Sequence, residues 1–169
     1  MVGVRVILAG LCLATALSSI PSTTSLARDG TLREAPDFTR TDLKGRPLTL
    51  RTYQGKLVLL NFWATWCGPC LTEIPRFIAW QDAYGGAGLQ IVGVSMDDDV
   101  APVKRAYDKY HLNYPVVMGD AELGERFGGV LGLPLSYLID RHGRIVGRYQ
   151  GELDLKQLES KIKSLLLQP

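Results

Sequence analysis

The chain has 169 residues, of which 46% are hydrophobic and 21% charged, and its formal net charge is +2. That length suits one ordinary domain with or without a short leader, and the apolar fraction is too high for disorder. Near-neutral charge argues against a general nucleic-acid binder, and three cysteines are too few for a disulfide-dense scaffold or a four-thiolate zinc site.

Residues 1–27 read as an exported leader. Arg5 is their only charged side chain, and Val6 to Leu17 form an apolar run of 12 residues broken only by small residues and Thr15. Ser25-Leu26-Ala27 completes the small-residue cleavage pattern. The run is shorter than the roughly 20 residues that span a bilayer, so cleavage after Ala27 is expected. Left uncleaved, the segment would act as an N-terminal membrane anchor. Cys12 lies in the run, but Leu11 stands where a lipoprotein signal needs a small residue, so Cys12 reads as a hydrophobe in a removed peptide. Residues 28–169 then form one domain with 18 basic and 17 acidic side chains and two cysteines, Cys67 and Cys70. The expected location is periplasmic or otherwise extracytoplasmic, where a disulfide can persist.

The elements follow in order. Ala35-Pro36-Asp37-Phe38 and Leu48-Thr49-Leu50 flank the turn Asp42-Leu43-Lys44-Gly45-Arg46, which predicts a hairpin. Leu57 to Trp63 is nearly all apolar and suits a central strand buried on both faces. Pro69 to Tyr84 has helical spacing, with Leu71, Ile74, Phe77 and Ile78 apolar, and Gly85-Gly86 ends it. Leu89–Ser95 is a second strand, Val100–Tyr110 a helix, Tyr114–Met118 a short strand and Ala121–Phe127 one or two helical turns. Asp97-Asp98-Asp99 reads as a solvated loop that can cap the following helix; it lacks the regular ligand spacing of a calcium loop. Leu135–Ile139 and Arg144–Gln150 form another hairpin through Asp140-Arg141-His142-Gly143. Asp154 caps a last helix with Leu155, Leu158, Ile162 and Leu165 as its apolar stripe. This order predicts an α/β fold on a mixed sheet.

Trp66-Cys67-Gly68-Pro69-Cys70 sits where the first long strand passes into a helix. A thiolate is the active form of cysteine, and a helix N-terminus favours negative charge. Cys67 at that terminus can attack a partner disulfide, and Cys70, one turn inside, can resolve the mixed disulfide. Pro69 suits the first turn, where its missing N–H is not needed. The same pair could be a structural disulfide, although so small a loop stabilises little. It could also belong to a metal site, but zinc needs two more ligands, and His111 and His142 are the only histidines.

Trp-Cys-Gly-Pro-Cys after an apolar strand resembles the active site of the thioredoxin superfamily, and the likeness covers the whole chain after the leader. The leader, the Ala-Pro-Asp-Phe start and the helical segment around residues 100–113 look like the TlpA/ResA/DsbE-type branch. The resemblance implies a thioredoxin-like fold: a mixed central sheet flanked by helices, an N-terminal hairpin and an inserted helix. It implies an extracytoplasmic thiol–disulfide oxidoreductase, with Cys67 and Cys70 as the redox-active disulfide and no cofactor or metal. Pro134, in Gly132-Leu133-Pro134-Leu135-Ser136, matches the family's cis-proline, whose loop pairs with substrate backbone; with Trp66 and Leu133 it would form the substrate face. Glu73 matches an acidic residue of this branch and shares a helix face with Cys70, so a partly buried carboxyl there can exchange protons with a thiol. Asn61 stands where thioredoxin has a buried acid, which shifts acid–base work towards Glu73. Pro75 matches the proline that bends the active-site helix. Trp63, Tyr107 and Tyr110 read as packing residues.

The expected activity is reduction of protein disulfides, as in the branch members that reduce apocytochrome c cysteines, with a membrane thiol-carrier reductase restoring the dithiol. Action as a monomer is expected. A dithiol oxidase would use the same cysteines, but Gly68-Pro69 matches the dipeptide of reducing thioredoxins. A copper-delivery protein would resemble CxxxC with a distant histidine, and a peroxidase would need Thr three residues before Cys67, where Ala64 stands.

Overall fold

The computed structural model describes Gly3 and residues 32–168, so the leader, Cys12 and the bond after Ala27 lie outside the described residues. Among the described residues no helix is long and apolar enough to cross a membrane. A hairpin of β1 (Thr39–Thr41) and β2 (Pro47–Thr49) opens the fold. β3 (Leu57–Trp63), α1 (Gly68–Tyr84), β4 (Leu89–Ser95), α2 (Val100–Tyr110), β5 (Val116–Met118) and α3 (Ala121–Arg126) follow. β6 (Leu135–Ile139), β7 (Ile145–Gln150) and α4 (Leu155–Leu166) close it. The central sheet has the order β5-β4-β3-β6-β7, with β3, β4 and β5 mutually parallel, β6 antiparallel to β3, and β7 antiparallel to β6. This is the expected thioredoxin-like arrangement.

The apolar runs explain the layering. All seven residues of β3 are buried, and its alternation feeds two cores. Leu57, Leu59 and Trp63 pack with Ile74, Phe77 and Trp80 of α1, Val103 of α2, and Leu158 and Ile162 of α4. Val58, Leu60 and Phe62 pack on the other side with Phe38, Leu48, Leu123, Phe127 and Tyr137. Phe62 meets Phe127 edge-on with ring centroids 5.4 Å apart, a favoured aromatic geometry.

The two hairpin turns share one local design. Asp42 Oδ1 accepts from the Lys44 and Arg46 backbone N–H groups, and Asp140 Oδ1 accepts from those of His142 and Arg144. Each aspartate also pairs with the arginine four residues on, and Gly45 and Gly143 supply the positive φ the turn requires.

The first hairpin strand is displaced from the predicted one: it occupies 39–41 rather than 35–38. Phe38 is buried in the second core, and Ala35 donates its N–H to Gly143 O, so this stretch is used for packing and for the edge of β7. A 3-10 turn at Leu50–Tyr53, which no periodicity announced, buries Leu50. Asp97 is a correction. It is only 6% exposed and accepts from half-buried Thr65 and buried Ser95, whereas Asp99 does cap α2 through Ala101 N.

Candidate active site

β3 and α1 position the candidate residues. The chain leaves β3 at Trp63 and reaches the N-cap of α1 at Cys67. Cys67 and Cys70 form a disulfide with S–S 2.02 Å and Cα–Cα 5.3 Å. Both are buried. Cys67 Sγ accepts from Cys70 N at 3.3 Å, so the terminal helix dipole and one N–H are aimed at this sulfur and favour negative charge on it. Pro69 occupies the first turn. Pro75 lies inside α1, where its ring removes one helical hydrogen bond.

Glu73 follows Cys70 by three positions and is 2% exposed. Its Oε1 accepts from Leu153 N at 3.1 Å, and its Oε2 is buried without a hydrogen-bond partner. Burial pushes the carboxyl up from the ordinary 4.5 to about 7; the Leu153 N–H opposes the rise and the charge of Glu152 adds to it. A group with that value is partly protonated near neutrality and can both give and take a proton. Asn61 is buried and donates from Nδ2 to Ser136 Oγ at 3.0 Å.

The third part of the site arrives from β6. Its register sets Leu135 opposite Phe62, so Pro134 enters the sheet at the end of β3 from which the chain runs to Cys67. The Leu133–Pro134 peptide bond is cis. Pro134 is buried, and half-buried Leu133 packs against both cores. Trp66 is 70% exposed, next to the buried Cys67, whereas Trp63 is 2% exposed and belongs to the core. Tyr107 and Tyr110 pack on the first core.

Two contributors escaped sequence reasoning. Asp97 accepts from both Thr65 N, at 2.9 Å, and Thr65 Oγ1, directly before the cysteines. The β7–α4 loop supplies Leu153 N to Glu73 and Gly151 N to Pro134 O, at 2.9 Å. Gly151, next to a predicted strand end and helix cap, was the available signal for a tight turn there.

Residues 31–148 match the AhpC/TSA family, and the chain belongs to that family. Within the thioredoxin superfamily its likeness is to the TlpA/ResA/DsbE-type branch. It is 36% identical over 133 residues to the thiol-disulfide oxidoreductase ResA of Bacillus thuringiensis, covering 79% of this chain and 77% of that one. A thiol:disulfide interchange protein of Chlorobium tepidum superimposes with TM-score 0.76 and 31% identity, over 82% of this chain and 99% of that one. A secreted Mycobacterium tuberculosis disulfide oxidoreductase superimposes with TM-score 0.68 and 25% identity, over 76% of this chain and 96% of that one. The protein is a thiol–disulfide oxidoreductase of the thioredoxin type.

Proposed function

We propose that the protein reduces protein disulfides outside the cytoplasm, with apocytochrome c cysteines as the substrate class and a membrane thiol carrier as electron donor. Residues 1–27 would direct export and be removed after Ala27, leaving residues 28–169 to act as a monomer.

In this reading Cys67 is the attacking thiolate. It bonds to one sulfur of the target disulfide and breaks the target S–S bond; the other target sulfur leaves as a thiolate and takes a proton. Glu73 then accepts the proton of the Cys70 thiol. The Cys70 thiolate attacks Cys67 Sγ, breaks the mixed disulfide and releases the second target thiolate. The second target thiolate takes the Cys70 proton held by Glu73, and the first took one from solvent to match the proton Cys67 lost on ionising. Two electrons have thus moved to the target, and Cys67–Cys70 is left as the disulfide. A dithiol donor reverses the same steps to restore the reduced enzyme. Trp66, Leu133 and Pro134 form the face that receives the target chain.

The observation that carries the exchange mechanism is the Glu73 carboxyl held at about 7 one turn beyond Cys70; the reducing direction is supported by Gly68-Pro69, the dipeptide of reducing thioredoxins. Exchange in either direction needs a proton carrier where the second thiol ionises, and a carboxyl at an ordinary value would hold that proton poorly at neutral pH. The secreted relative supports the extracytoplasmic setting.

The test uses Cys70→Ser, which should accumulate a Cys67-linked mixed disulfide with an oxidised CxxCH peptide, read by mass spectrometry. Absence of that adduct removes the mechanism. Redox equilibration of the wild type should give a potential nearer thioredoxin's, about −270 mV, than DsbA's, about −120 mV. A value at the oxidising end would instead make the protein a dithiol oxidase.

A further inference from the structure

The connection from β3 to Cys67 is only Ala64-Thr65-Trp66, and a buried carboxylate from another strand's end grips its middle. Thr65 donates both of its polar hydrogens, from N and Oγ1, to Asp97. Ser95 Oγ donates to Asp97 Oδ2 at 2.8 Å, and Asp97 N donates back to Ser95 Oγ at 3.2 Å. Ser95 is itself buried and registers with Trp63 across the β3–β4 ladder, so the grip is anchored in the sheet. Met96 N to Trp63 O, at 2.8 Å, closes the same corner. On the outer side of this connection Trp66 stands exposed.

We propose that Asp97 is a positioning residue for disulfide exchange, holding the Ala64–Trp66 connection so that Trp66 and Cys67 meet a polypeptide target as one rigid edge. The proposal rests on the reading that Trp66 belongs to the target-binding face. Asp97 acts through Thr65 and not on a sulfur. A carboxylate can accept from all three donors. The amide of asparagine, of the same shape, presents N–H groups on one side and meets a donor with a donor. Misplacing a reacting edge by about 1 Å can slow a reaction by up to about a hundredfold. That loss should appear only with substrates that need the edge.

Reduced Asp97→Asn should therefore react with insulin disulfides about tenfold more slowly than wild type, while its reaction with Ellman's reagent, a small disulfide that needs no docking face, stays within about twofold. Thr65→Val, which removes only the hydroxyl bond, should show a smaller but equally selective loss. Adding Thr65→Val to Asp97→Asn should slow insulin reduction no further. Equal slowing with both disulfides would assign Asp97 to thiol reactivity or folding and overturn the proposal. Additive losses, or an unchanged insulin rate, would overturn it too. Where Asp97→Asn does not fold, Thr65→Val decides alone by the same ratio of rates. A wild-type protein unable to reduce insulin would bring down the reductant reading and this proposal with it; an active wild type with unselective variants counts against Asp97 alone.

Discussion

Replacing Glu73 with glutamine should change how folding stability depends on pH. Burial holds the carboxyl at about 7 against the ordinary 4.5, because the charged form is the one that loses hydration. Below pH 4.5 folded and unfolded chains both carry the proton, and the neutral carboxyl has no charge to desolvate. As pH rises from there the unfolded chain releases its proton first, so stability falls, and the fall is complete once pH passes the folded value of about 7. At about 1.4 kcal/mol per pH unit, the interval amounts to about 3 kcal/mol. Glutamine has the same shape, keeps an oxygen for Leu153 N, and has no proton to release.

The assay is urea unfolding of the oxidised protein, wild type and Glu73→Gln, at about pH 4 and about pH 8.5. Other titrating groups contribute equally to both proteins, so the quantity read is the difference between them. That difference should move in favour of Glu73→Gln by about 3 kcal/mol between the two pH values. A movement under about 1 kcal/mol would mean that Glu73 ionises in place at little cost. Such a carboxyl would titrate in the ordinary acid range, and the proton step assigned to it would be refuted.

Three further substitutions probe the surroundings. Trp66→Ala should leave stability within about 0.5 kcal/mol, since the side chain is largely exposed, yet slow insulin reduction severalfold in a turbidity assay. Gly93→Ala would set a methyl 3.1 Å from both Trp63 Nε1 and Val116 Cγ2 inside the core; a loss of about 1–3 kcal/mol is expected from the urea midpoint, and an unchanged midpoint would show that the indole yields freely. Gly151→Ala forces a side chain onto φ +81°, which costs about 1–2 kcal/mol. It should also raise the pH at which the Glu73-dependent fall occurs, since a displaced Leu153 N–H no longer stabilises the carboxylate; a fall at the wild-type pH would show that the bond survives.

The parts of the fold that could be read from the sequence are those whose signal is local and redundant. β3, β4, α2 and β6 occupy their predicted ranges because each combines an unbroken or periodic apolar pattern with a turn or cap beside it. The pairing of Cys67 with the start of α1 was legible for the same reason: strand, small loop and proline are adjacent in the chain. Asp97 was not. Three successive aspartates look solvated, and the donor that satisfies the first of them is Thr65, 32 positions away. The displaced β1 has a similar cause. Asp37 Oδ1 accepts from Arg51 N, and Arg51 Nε pairs with its other oxygen, so residues expected to pair as a strand are held by a turn beyond β2.

Glu73 itself shows how far a one-dimensional reading reaches. Its spacing from Cys70 identified the helix face, but the value of its pKa comes from elements far along the chain. Leu153, whose N–H the carboxyl accepts, packs half-buried on the first core, which also encloses Cys70. The β7–α4 loop gives one N–H to Glu73 Oε1 and another, two residues earlier, to Pro134 O. One end of that loop is fixed by Gln150 pairing with Leu135, and the other by Asp154 accepting from Lys156 N and Gln157 N. The carboxyl and the cis-proline edge are therefore held by the same three residues, Gly151 to Leu153. A change that moves this loop must act on both at once, which is why a single methyl at Gly151, far from the sulfurs in sequence, bears on the protonation of Glu73 as well as on the position of Pro134.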